Sequence, residues 1–470
     1  MRNLPNNFAA WLEQAIGATT ARTVLEALTE GTPVVSVRAN IRKGVEAAPA
    51  ADSVPWEPCG IYLPERPLFA ADPAWHQGAY YVQDASSMAL GEVVRRLVKN
   101  YLPADKSLRY LDSCAAPGGK SIAALDALPA GSFLVANEYD SQRANILAEN
   151  LAKYGCPDVA VTRGDTKHLS KLGPVFDIIG ADVPCSGEGM MRKDATAVEQ
   201  WSPGLVKQCA ATQREILSNI WKCLKPGGFL IYSTCTFNRI ENEENVAWLI
   251  DEYDAESIDV GLDEYEGVMP SAVAGIHGYR FMPGLVRGEG LFIAVLRKPG
   301  ELAFSDSRSG KAAVENTVAR KSLQALGVDC EGYSVIGNTR VELRPVRHRA
   351  LCDALSRHPA ALRVGLPAAE LKGKDYAPLH ELALSTLMPS DAPLAELDYT
   401  EALAYLRREA PVLQAALPKG YIRVGFEGRP LGWVKNLGNR ANNLLPDFLR
   451  LRLDPRNLPQ NPPQIPLRRI

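Results

Sequence analysis

Two cysteines fifty positions apart are the residues of this chain best suited to covalent chemistry. Cys185 closes the segment 182–185 (DVPC) and Cys235 closes 233–235 (STC), each just past an apolar run that predicts a strand. A free thiol has a pKa of about 8.5, and a nearby cation or a bound substrate can lower it enough to give a nucleophilic thiolate. A single cysteine in such a place is more often a small buried apolar residue. Two of them at the ends of adjacent strands predict a working pair.

Acidic side chains follow three successive predicted strands. Glu138 ends the second strand, Asp165 follows the third and Asp182 ends the fourth. The carboxyl ends of parallel strands meet at one edge of a sheet, where ligands usually bind. Glu138 is suited there to ribose hydroxyls and Asp165 to an adenine amine. Each acid alone is typical of a solvated loop, but their regular placement predicts one shared ligand site.

A glycine-rich turn at 116–120 (APGGK) completes this candidate site. It follows the first predicted strand and opens a helix, so backbone N–H groups and the helix N-terminus can approach a ligand closely. The pattern is neither GxGxxG nor a phosphate loop. Taken alone, it is also typical of an ordinary strand-to-helix turn.

The elements that position these residues alternate between strand and helix from about residue 80 to 298. Predicted strands span 108–111, 133–136, 159–162, 176–181 and 229–232, and predicted helices span 121–128, 141–154, 205–224 and 241–252. This alternation predicts a Rossmann-like α/β fold, a parallel sheet with helices on both faces. A last strand pair at 278–282 and 291–296 is suited to an antiparallel hairpin at the sheet edge.

Further domains are predicted on both sides of this core domain (80–298). The N-terminal domain (1–79) mixes helix signals at 8–28 with a strand at 33–38, an α+β pattern. A polar linker at 301–315 leads into a small α/β module, and the two together occupy 299–389. The last domain (390–470) has a helix at 399–408 and strands at 420–426 and 431–435, as in a small β-barrel. From residue 421 onward it carries nine Lys/Arg against three Asp/Glu.

The composition of the 470 residues narrows the class of protein. Hydrophobic residues make up 46% and charged residues 23%, as in a folded soluble protein. The net charge of −2 gives no global basic field, so any RNA-binding surface must be a local patch. No apolar run predicts a membrane span or a signal peptide. Nine cysteines without zinc-site spacing predict free thiols in a reducing cytoplasm.

Four segments together resemble the motifs of the NOL1/NOP2/Sun family of RNA 5-methylcytosine methyltransferases: 78–88, 112–121, 182–194 and 232–246. With the basic C-terminal segment, the resemblance points to the bacterial RsmF-type branch, which modifies 16S ribosomal RNA. It implies a class I S-adenosylmethionine methyltransferase core, an N-terminal RNA-binding domain and a C-terminal PUA-like β-barrel. Gly118 and Gly119 stand where some members have Gly-Ser, a small change.

The resemblance also implies roles for the motif residues. S-adenosylmethionine would be held or framed by Cys114, Ala115, Ala116, Pro117, Gly118, Gly119, Lys120, Glu138, Asp165 and Asp182. Cys235 would be the nucleophile that adds to carbon 6 of cytosine, which makes carbon 5 able to take the methyl group. Asp182, as a carboxylic acid, would offset the developing negative charge at ring nitrogen 3, and Cys185 would help to release the product. Whether Cys185 or a water takes the carbon-5 proton stays open.

Cations in the flanking domains and beside Cys185 are candidates for RNA phosphates. They are Arg38, Arg42 and Lys43 near the N-terminus, Arg192 and Lys193 after Cys185, and Arg423, Arg429, Lys435 and Arg440 near the C-terminus. A solvated surface charge explains each of them equally well. The aromatic residues Trp56, Tyr421 and Trp433 are suited to base stacking or to core packing, and the strand position of Trp433 favours packing.

The prediction is therefore an enzyme that methylates cytosine in 16S ribosomal RNA of the small subunit, as a cytoplasmic monomer. A transfer-RNA methyltransferase is the alternative within the same class. A non-catalytic RNA-binding assembly factor is a second alternative, which the loss of Cys185, Cys235 or Asp182 would favour; none is lost. A small-molecule or protein methyltransferase is a third, but such enzymes rarely need a cysteine nucleophile.

Overall fold

The computed structural model describes residues 3–304, 314–389, 392–413 and 417–470. Its first part is the N-terminal unit. Its elements are α1 (Phe8–Ile16), α2 (Ala18–Thr29), β1 (Val35–Ala39), β2 (Val45–Ala47), β3 (Ser53–Val54), β4 (Glu57–Leu63), α3 (Pro73–His76) and β5 (Tyr80–Val82). Strands β3, β4, β1 and β5 pair antiparallel in that order. The helix signal predicted at 8–28 is divided at Gly17, whose φ of 81° favours glycine.

The core that follows confirms the predicted alternation of strands and helices. Its elements are α4 (Ala85–Asn100), β6 (Arg109–Asp112), α5 (Gly119–Ala127), β7 (Phe133–Glu138), α6 (Ser141–Tyr154), β8 (Val159–Arg163), α7 (Thr166–Leu169), β9 (Phe176–Asp182), α8 (Ala195–Gln200), α9 (Pro203–Trp221), β10 (Leu224–Thr234), α10 (Glu243–Tyr253), β11 (Glu256–Ile258), β12 (Val268–Pro270), β13 (Gly278–Phe281) and β14 (Leu291–Arg297).

The central sheet has five parallel strands in the order β10, β9, β6, β7 and β8. Strand β14 pairs antiparallel with β10, and β13 and β12 extend that edge, which confirms the predicted antiparallel pair. Since the order reverses between β6 and β9, the carboxyl ends of these two strands flank the crevice where ligands of such sheets bind.

Helices cover both faces of this sheet and hold its strand ends in place. Leu111 of β6 is fully buried, as are Leu147 and Leu151, which lie four residues apart on one side of α6. Each such side chain stabilises the fold by roughly 1.5–3 kcal/mol when fully buried. Asp140 caps the start of α6 by accepting two backbone N–H bonds, and Gly155 ends it in the left-handed conformation.

The middle module contributes a strand to the central sheet. It comprises α11 (Thr317–Ala325), β15 (Tyr333–Ile336), β16 (Arg340–Pro345), α12 (Arg349–Ser356), β17 (Ala361–Val364), β18 (Leu366–Lys372), β19 (Asp375–Pro378) and α13 (His380–Leu384). Strands β15, β16, β18 and β19 form their own sheet, whereas β17 pairs antiparallel with β8 of the core. The module is therefore joined to the core through backbone hydrogen bonds, a connection that its local sequence did not predict.

The last unit contains the helix and strands that the sequence predicts, and its final strand pairs with a strand of the N-terminal unit. It contains β20 (Leu394–Glu396), α14 (Tyr399–Leu406), β21 (Gly420–Phe426), β22 (Arg429–Asn436), β23 (Ala441–Asn443) and β24 (Leu467–Arg469). Strands β20 to β23 form one sheet, and β24 pairs antiparallel with β2 of the N-terminal unit. In the described part of the chain, no helix has both the length and the apolar character needed to span a membrane.

Candidate active site

A cleft of about 540 Å³ lies at the carboxyl ends of the parallel strands. Its walls come from the glycine-rich turn, both cysteine-containing loops and α9, and they include Ser113, Cys114, Ala116, Asn137, Glu138, Asp165, Asp182, Cys185, Thr212 and Cys235. This volume is within the range of small-molecule sites. Among the described residues, no group of three or more His, Cys, Asp or Glu side chains is arranged to hold a metal ion.

The two cysteines singled out by the sequence meet in this cleft. The Sγ atoms of Cys185 and Cys235 lie 3.3 Å apart, and both residues are free thiols with partly exposed side chains. The hydrogen bond with Cys235, together with burial, raises the pKa of Cys185 well above its usual value. A protonated Cys185 can donate a hydrogen bond to Cys235, and the geometry allows either sulfur to be the donor. The assignment of Cys235 as the thiolate stays a prediction.

The buried carboxylate of Glu241 fixes the loop that carries Cys185. It accepts hydrogen bonds from Ser186 N at 2.9 Å, from Gln213 Nε2 at 2.8 Å and from Asn238 Nδ2 at 2.9 Å, and the Ser186 hydroxyl donates to it as well. Burial raises the pKa of Glu241. Because Ser186 follows one cysteine and Asn238 lies in the loop of the other, this carboxylate links the two loops.

Glu188 also links the two loops: it lies in the loop of Cys185 and binds the loop of Cys235. Its carboxylate accepts hydrogen bonds from Phe237 N at 2.5 Å and from Asn238 N at 3.1 Å. Next to it, Gly189 N donates to the carbonyl oxygen of Cys235 at 2.8 Å. The distance between the thiols is thus set by a buried network of charge-assisted hydrogen bonds. Neither glutamate was predicted to have a role, because acids in a loop (Glu188) or at the start of a predicted helix (Glu241) are most often solvated.

Asp182 is held between the glycine-rich turn and β10. Its Oδ2 atom lies 2.9 Å from Lys120 Nζ, and its Oδ1 atom accepts a 2.9 Å hydrogen bond from Ser233 Oγ. Burial by itself lowers the pKa of Lys120, but attraction to Asp182 outweighs it, so the pKa is raised. Both residues were predicted to contact the ligand, and the ion pair orients the Asp182 carboxylate at the mouth of the thiol site.

Glu138 and Asn137 organise the end of β7. The Oε2 atom of Glu138 accepts a 3.3 Å hydrogen bond from Ala116 N, and Asn137 Nδ2 donates to the carbonyl oxygens of Ser113 and Gly164 at 3.1 Å each. Asn137 thereby joins the loops after β6 and β8. Sequence reasoning missed this residue, although its place beside Glu138 at a strand end is the signal that could have identified it.

The remaining predicted ligand residues have different positions. Cys114, Ala116 and Asp165 line the cleft, and Asp165 also caps α7 by accepting a bond from Lys167 N at 2.8 Å. Burial raises the pKa of the Cys114 thiol, so this cysteine is poorly suited to be a nucleophile. Ala115, Pro117, Gly118 and Gly119 form the turn itself, in which Gly118 has a φ of 114° at the start of α5. Their contact with a ligand stays a prediction.

Asp112, at the end of β6, is a buried acid that the sequence analysis did not select. Ser121 Oγ donates a 2.6 Å hydrogen bond to it. Burial raises the pKa of Asp112 to about 7, and the charge of Asp182 adds to this effect. A carboxyl group here links the β6 strand end to α5 beneath the glycine-rich turn.

The structure contradicts three of the predicted phosphate contacts, because the side chains are buried and already paired. Arg38 is ion-paired with two carboxylates, Arg192 lies 2.7 Å from a carboxylate oxygen of Glu289, and Arg423 donates to the carbonyl oxygens of Pro389 and Ala392. A basic stretch of sequence could not reveal these partners, which lie far along the chain.

Among the other predicted RNA contacts, Lys43 is bound inside the protein, whereas the remaining five side chains are at least partly exposed. Lys43 Nζ donates to the carbonyl oxygens of Gln77 and Lys153, and burial lowers its pKa to about 7. Arg42, Lys193, Lys435, Arg429 and Arg440 keep partly or largely exposed side chains and stay predictions. Trp56 and Trp433 are buried in the core, which excludes base stacking, whereas Tyr421 is partly exposed.

Three family models match successive parts of the chain. The model described as 16S rRNA methyltransferase RsmB/F matches residues 100–297. The N-terminal domain of 16S rRNA methyltransferase RsmF matches residues 4–85, and the methyltransferase RsmF PUA domain matches residues 392–451. Together they cover the N-terminal unit, the core and the last unit.

Whole-chain relatives and solved structures agree with these matches. Ribosomal RNA small subunit methyltransferase F of Cronobacter sakazakii is 32% identical over 84% of this chain and 83% of its own length. The protein of the same name from Shewanella loihica is 32% identical over 80% and 78%. A methyltransferase homolog from Pyrococcus horikoshii superposes with a TM-score of 0.51 at 26% identity, over 62% of this chain and 94% of that one. NSun6 from the same organism, solved with SFG, shares the fold with a TM-score of 0.51 at 20% identity, over 63% and 99%.

Proposed function

Because the chain belongs to the RsmB/F family of 16S rRNA methyltransferases, we propose that it methylates carbon 5 of a cytosine in ribosomal RNA through a covalent adduct with Cys235. The observation that carries this proposal is the 3.3 Å contact between the thiols of Cys185 and Cys235 inside the cleft. A methyl group can reach a ring nitrogen or a hydroxyl without any thiol. A ring carbon of cytosine is too weakly nucleophilic and needs covalent activation.

S-adenosylmethionine is the cofactor, and when bound it supplies an electrophilic methyl group. The cleft fits such a molecule in size and in donor set, since its 540 Å³ is lined by carboxylates of Glu138 and Asp165, which can accept hydrogen bonds from hydroxyl and amine groups. The backbone of the glycine-rich turn, from Cys114 to Lys120, would hold the rest of it.

Cys235 forms and later breaks the bond to the base. Its thiolate adds to carbon 6, and the electron pair that this addition places on the ring makes carbon 5 nucleophilic. After carbon 5 has been methylated, a base removes the carbon-5 proton, and the Cys235 sulfur leaves carbon 6 with its electron pair. When the Cys185 thiol is the donor of the hydrogen bond to Cys235, it stabilises the thiolate both before attack and on departure.

Asp182 orients the base. Its carboxylate lies at the end of β9, three residues before Cys185, and is held by Lys120 and Ser233. From this position the acid form of Asp182 can donate a hydrogen bond to ring nitrogen 3 of a cytosine whose carbon 6 faces Cys235. The target base must leave its stack to reach this depth, which costs a few kcal/mol in a duplex and less in a loop or junction.

We further propose that the substrate is 16S ribosomal RNA of the small subunit, supported by the relatives named small subunit methyltransferase F and by the PUA domain match. The test uses the purified protein with radiolabelled methyl donor and three RNA substrates: unmodified 16S RNA, unmodified small subunits and transfer RNA. Bisulfite sequencing then identifies the methylated cytosine.

Cysteine variants test the mechanism in the same assay. Cys235→Ala is expected to abolish methylation, and Cys185→Ala is expected to accumulate a denaturation-resistant protein–RNA adduct because release is impaired. Cys209→Ala is the matched control, since Cys209 is a partly exposed thiol that does not line the cleft. Methylation by Cys235→Ala would refute the assigned nucleophile. Methylation of transfer RNA alone would refute the ribosomal substrate.

A further inference from the structure

A second cleft, of about 470 Å³, lies where the N-terminal unit, the middle module and the last unit meet. We call it the junction cleft. Its charged lining side chains, among those that the structure describes, are all cationic: Arg42, Lys43, Arg423, Arg429 and Arg469. The backbone carboxylate of Ile470, the last residue of the sequence, is the anionic group in the described lining. The cations come from both ends of the chain, so the fold gathers positive charge that the sequence keeps apart.

The junction cleft has a fixed framework. Strand β24, which carries Arg469, pairs with β2, with Arg469 opposite Val45. Gln77 Nε2 donates 2.8 Å hydrogen bonds to the carbonyl oxygens of Phe426 and Arg429, which ties α3 to the β21–β22 turn. The backbone segments that carry Arg429 and Arg469 therefore keep their relative positions without any ligand, which favours a preorganised binding site.

Two of the five cations have charge left for a ligand. Arg42 is already paired with Asp126 at 3.2 Å, and Lys43 and Arg423 donate to backbone carbonyl oxygens. Arg469 is exposed, and Arg429 is half buried with an Nε atom that has no hydrogen-bond partner.

Arg429 and Arg469 also repel each other. Burial has the largest effect and lowers the pKa of Arg429; Glu427 raises it by more than the charge of Arg469 lowers it, and Asp72 raises it least, but neither acid lines the cleft. Two like charges held together in a half-buried groove are an arrangement that an anion stabilises.

The junction cleft is remote from the active-site cleft. Helix α6 connects them: Asp140 at its start donates its N–H to Glu138 in the active site, and Gly155 at its end accepts a 3.0 Å hydrogen bond from the N–H of Thr386, which lines the junction cleft. Fourteen residues of helix span about 21 Å. A stacked strand covers that distance in about six nucleotides, at roughly 3.4 Å each.

We propose that the junction cleft binds phosphodiester groups of the RNA substrate, several nucleotides away from the target base. Phosphate contacts of this kind set the position of an RNA without reading its sequence. Arg429 and Arg469 provide the direct contacts, and the remaining cations maintain the positive potential around them. This inference rests on the proposed ribosomal RNA substrate but not on the cysteine chemistry.

The test compares two double variants of the full chain that remove the same charge. Arg429→Gln with Arg469→Gln removes the two available cations of the cleft. Lys372→Gln with Arg456→Gln removes two others, with side chains 67% and 89% exposed outside it. Binding to an unmodified 16S RNA transcript is measured by filter binding over a series of salt concentrations, and calorimetry with S-adenosylmethionine checks that each variant is folded.

For the cleft variant, the slope of log K against log salt is expected to fall by roughly 1.4–1.8, which is 0.7–0.9 for each lost phosphate contact. Affinity at about 0.1 M salt is expected to fall on the order of tenfold, while the control variant stays near wild type. Equal losses in both variants, or an unchanged slope in the cleft variant, would overturn the proposal. Calorimetry with tripolyphosphate is run on the same variants. If the cleft variant loses tripolyphosphate binding but keeps its RNA affinity, the cleft is a small-anion site and the proposal is overturned.

The cysteine proposal and the cleft proposal fail separately. If the wild type binds RNA through the cleft but methylates no cytosine, the chemistry is refuted and the binding site stands. If cytosine is methylated and the cleft variant binds RNA like the wild type, the binding site is refuted and the chemistry stands.

Discussion

Replacing Glu241 with Gln tests whether the buried network sets the distance between the thiols. The substitution keeps the shape of the side chain but turns one acceptor oxygen into a donor NH2 group. Oε2 of Glu241 accepts from two N–H groups, whereas Oε1 accepts from one N–H group and from the Ser186 hydroxyl, which can turn to accept instead. An NH2 group in place of Oε1 therefore leaves one buried donor, Asn238 Nδ2, without this acceptor, at a cost of roughly 1–3 kcal/mol. Removing a buried charge offsets part of this cost, so we expect the free energy of unfolding to fall by about 1–2 kcal/mol.

The same substitution is expected to affect catalysis through the position of the loops. A displacement of about 1 Å at reacting groups costs on the order of 100-fold in rate, so kcat is expected to fall by about that factor while S-adenosylmethionine affinity stays within about threefold. A second measurement reads the geometry directly. Mild oxidation with diamide should join Cys185 and Cys235 quickly in the wild type, because their sulfurs are 3.3 Å apart, and more slowly in Glu241→Gln.

Glu244→Gln is the control for Glu241→Gln. Glu244 lies three residues further along, at the start of α10, and its side chain is exposed. It is expected to leave stability, methylation and disulfide formation near the wild-type values. The reasoning would be refuted if Glu241→Gln folded normally yet kept both the oxidation rate of the thiol pair and the methylation rate of the wild type.

Three further predictions follow from individual contacts. Asp112 has a pKa of about 7 in the folded protein, above its value in the unfolded chain, so its stabilising contribution is complete at low pH and is lost as the pH rises through 7. The unfolding temperature of the wild type should therefore fall from pH 5 to pH 8 by more than that of Asp112→Asn. Equal falls in the two proteins would contradict this prediction. Lys120→Met removes the 2.9 Å ion pair with Asp182, a charge-assisted contact of about 1.5–3 kcal/mol. It should therefore lower kcat/KM for the methyl donor about tenfold to 100-fold. An unchanged kcat/KM would show that Asp182 needs no such partner. Gly189→Ala would place a methyl group 2.8 Å from the carbonyl oxygen of Cys235, so methylation should be lost with S-adenosylmethionine binding intact, and wild-type turnover would exclude a fixed loop.

The sequence predicts what is encoded locally or by regular spacing. Helix α6 was predicted with the bounds that the structure shows, since its amphipathic pattern and its cap at Asp140 are local signals. The meeting of Cys185 and Cys235 was also predicted, because parallel strands end at a common edge. Both predictions depend on patterns within one stretch of chain or on the geometry of one sheet.

Features that depend on distant partners were not predictable. Strand β17 pairs with β8, about 200 residues earlier, and nothing in its own four residues indicates that sheet. Arg38 was taken for a surface cation because its neighbours in sequence are basic, whereas its carboxylate partners, Glu57 and Asp126, are supplied by β4 and α5. The buried roles of Glu188 and Glu241 were missed for the same reason, since burial is a property of the assembled loops.

The pairing of β24 with β2 has a consequence for the order in which the protein matures. Arg468 and Glu46 on these strands are 422 residues apart, so at about 5–20 residues per second β2 waits roughly 20–80 s for its partner during synthesis. The parallel sheet and both cysteine loops have been translated long before then. The junction cleft forms only when β24 has been synthesised. A nascent chain therefore assembles its active-site cleft first and the proposed RNA-binding cleft last.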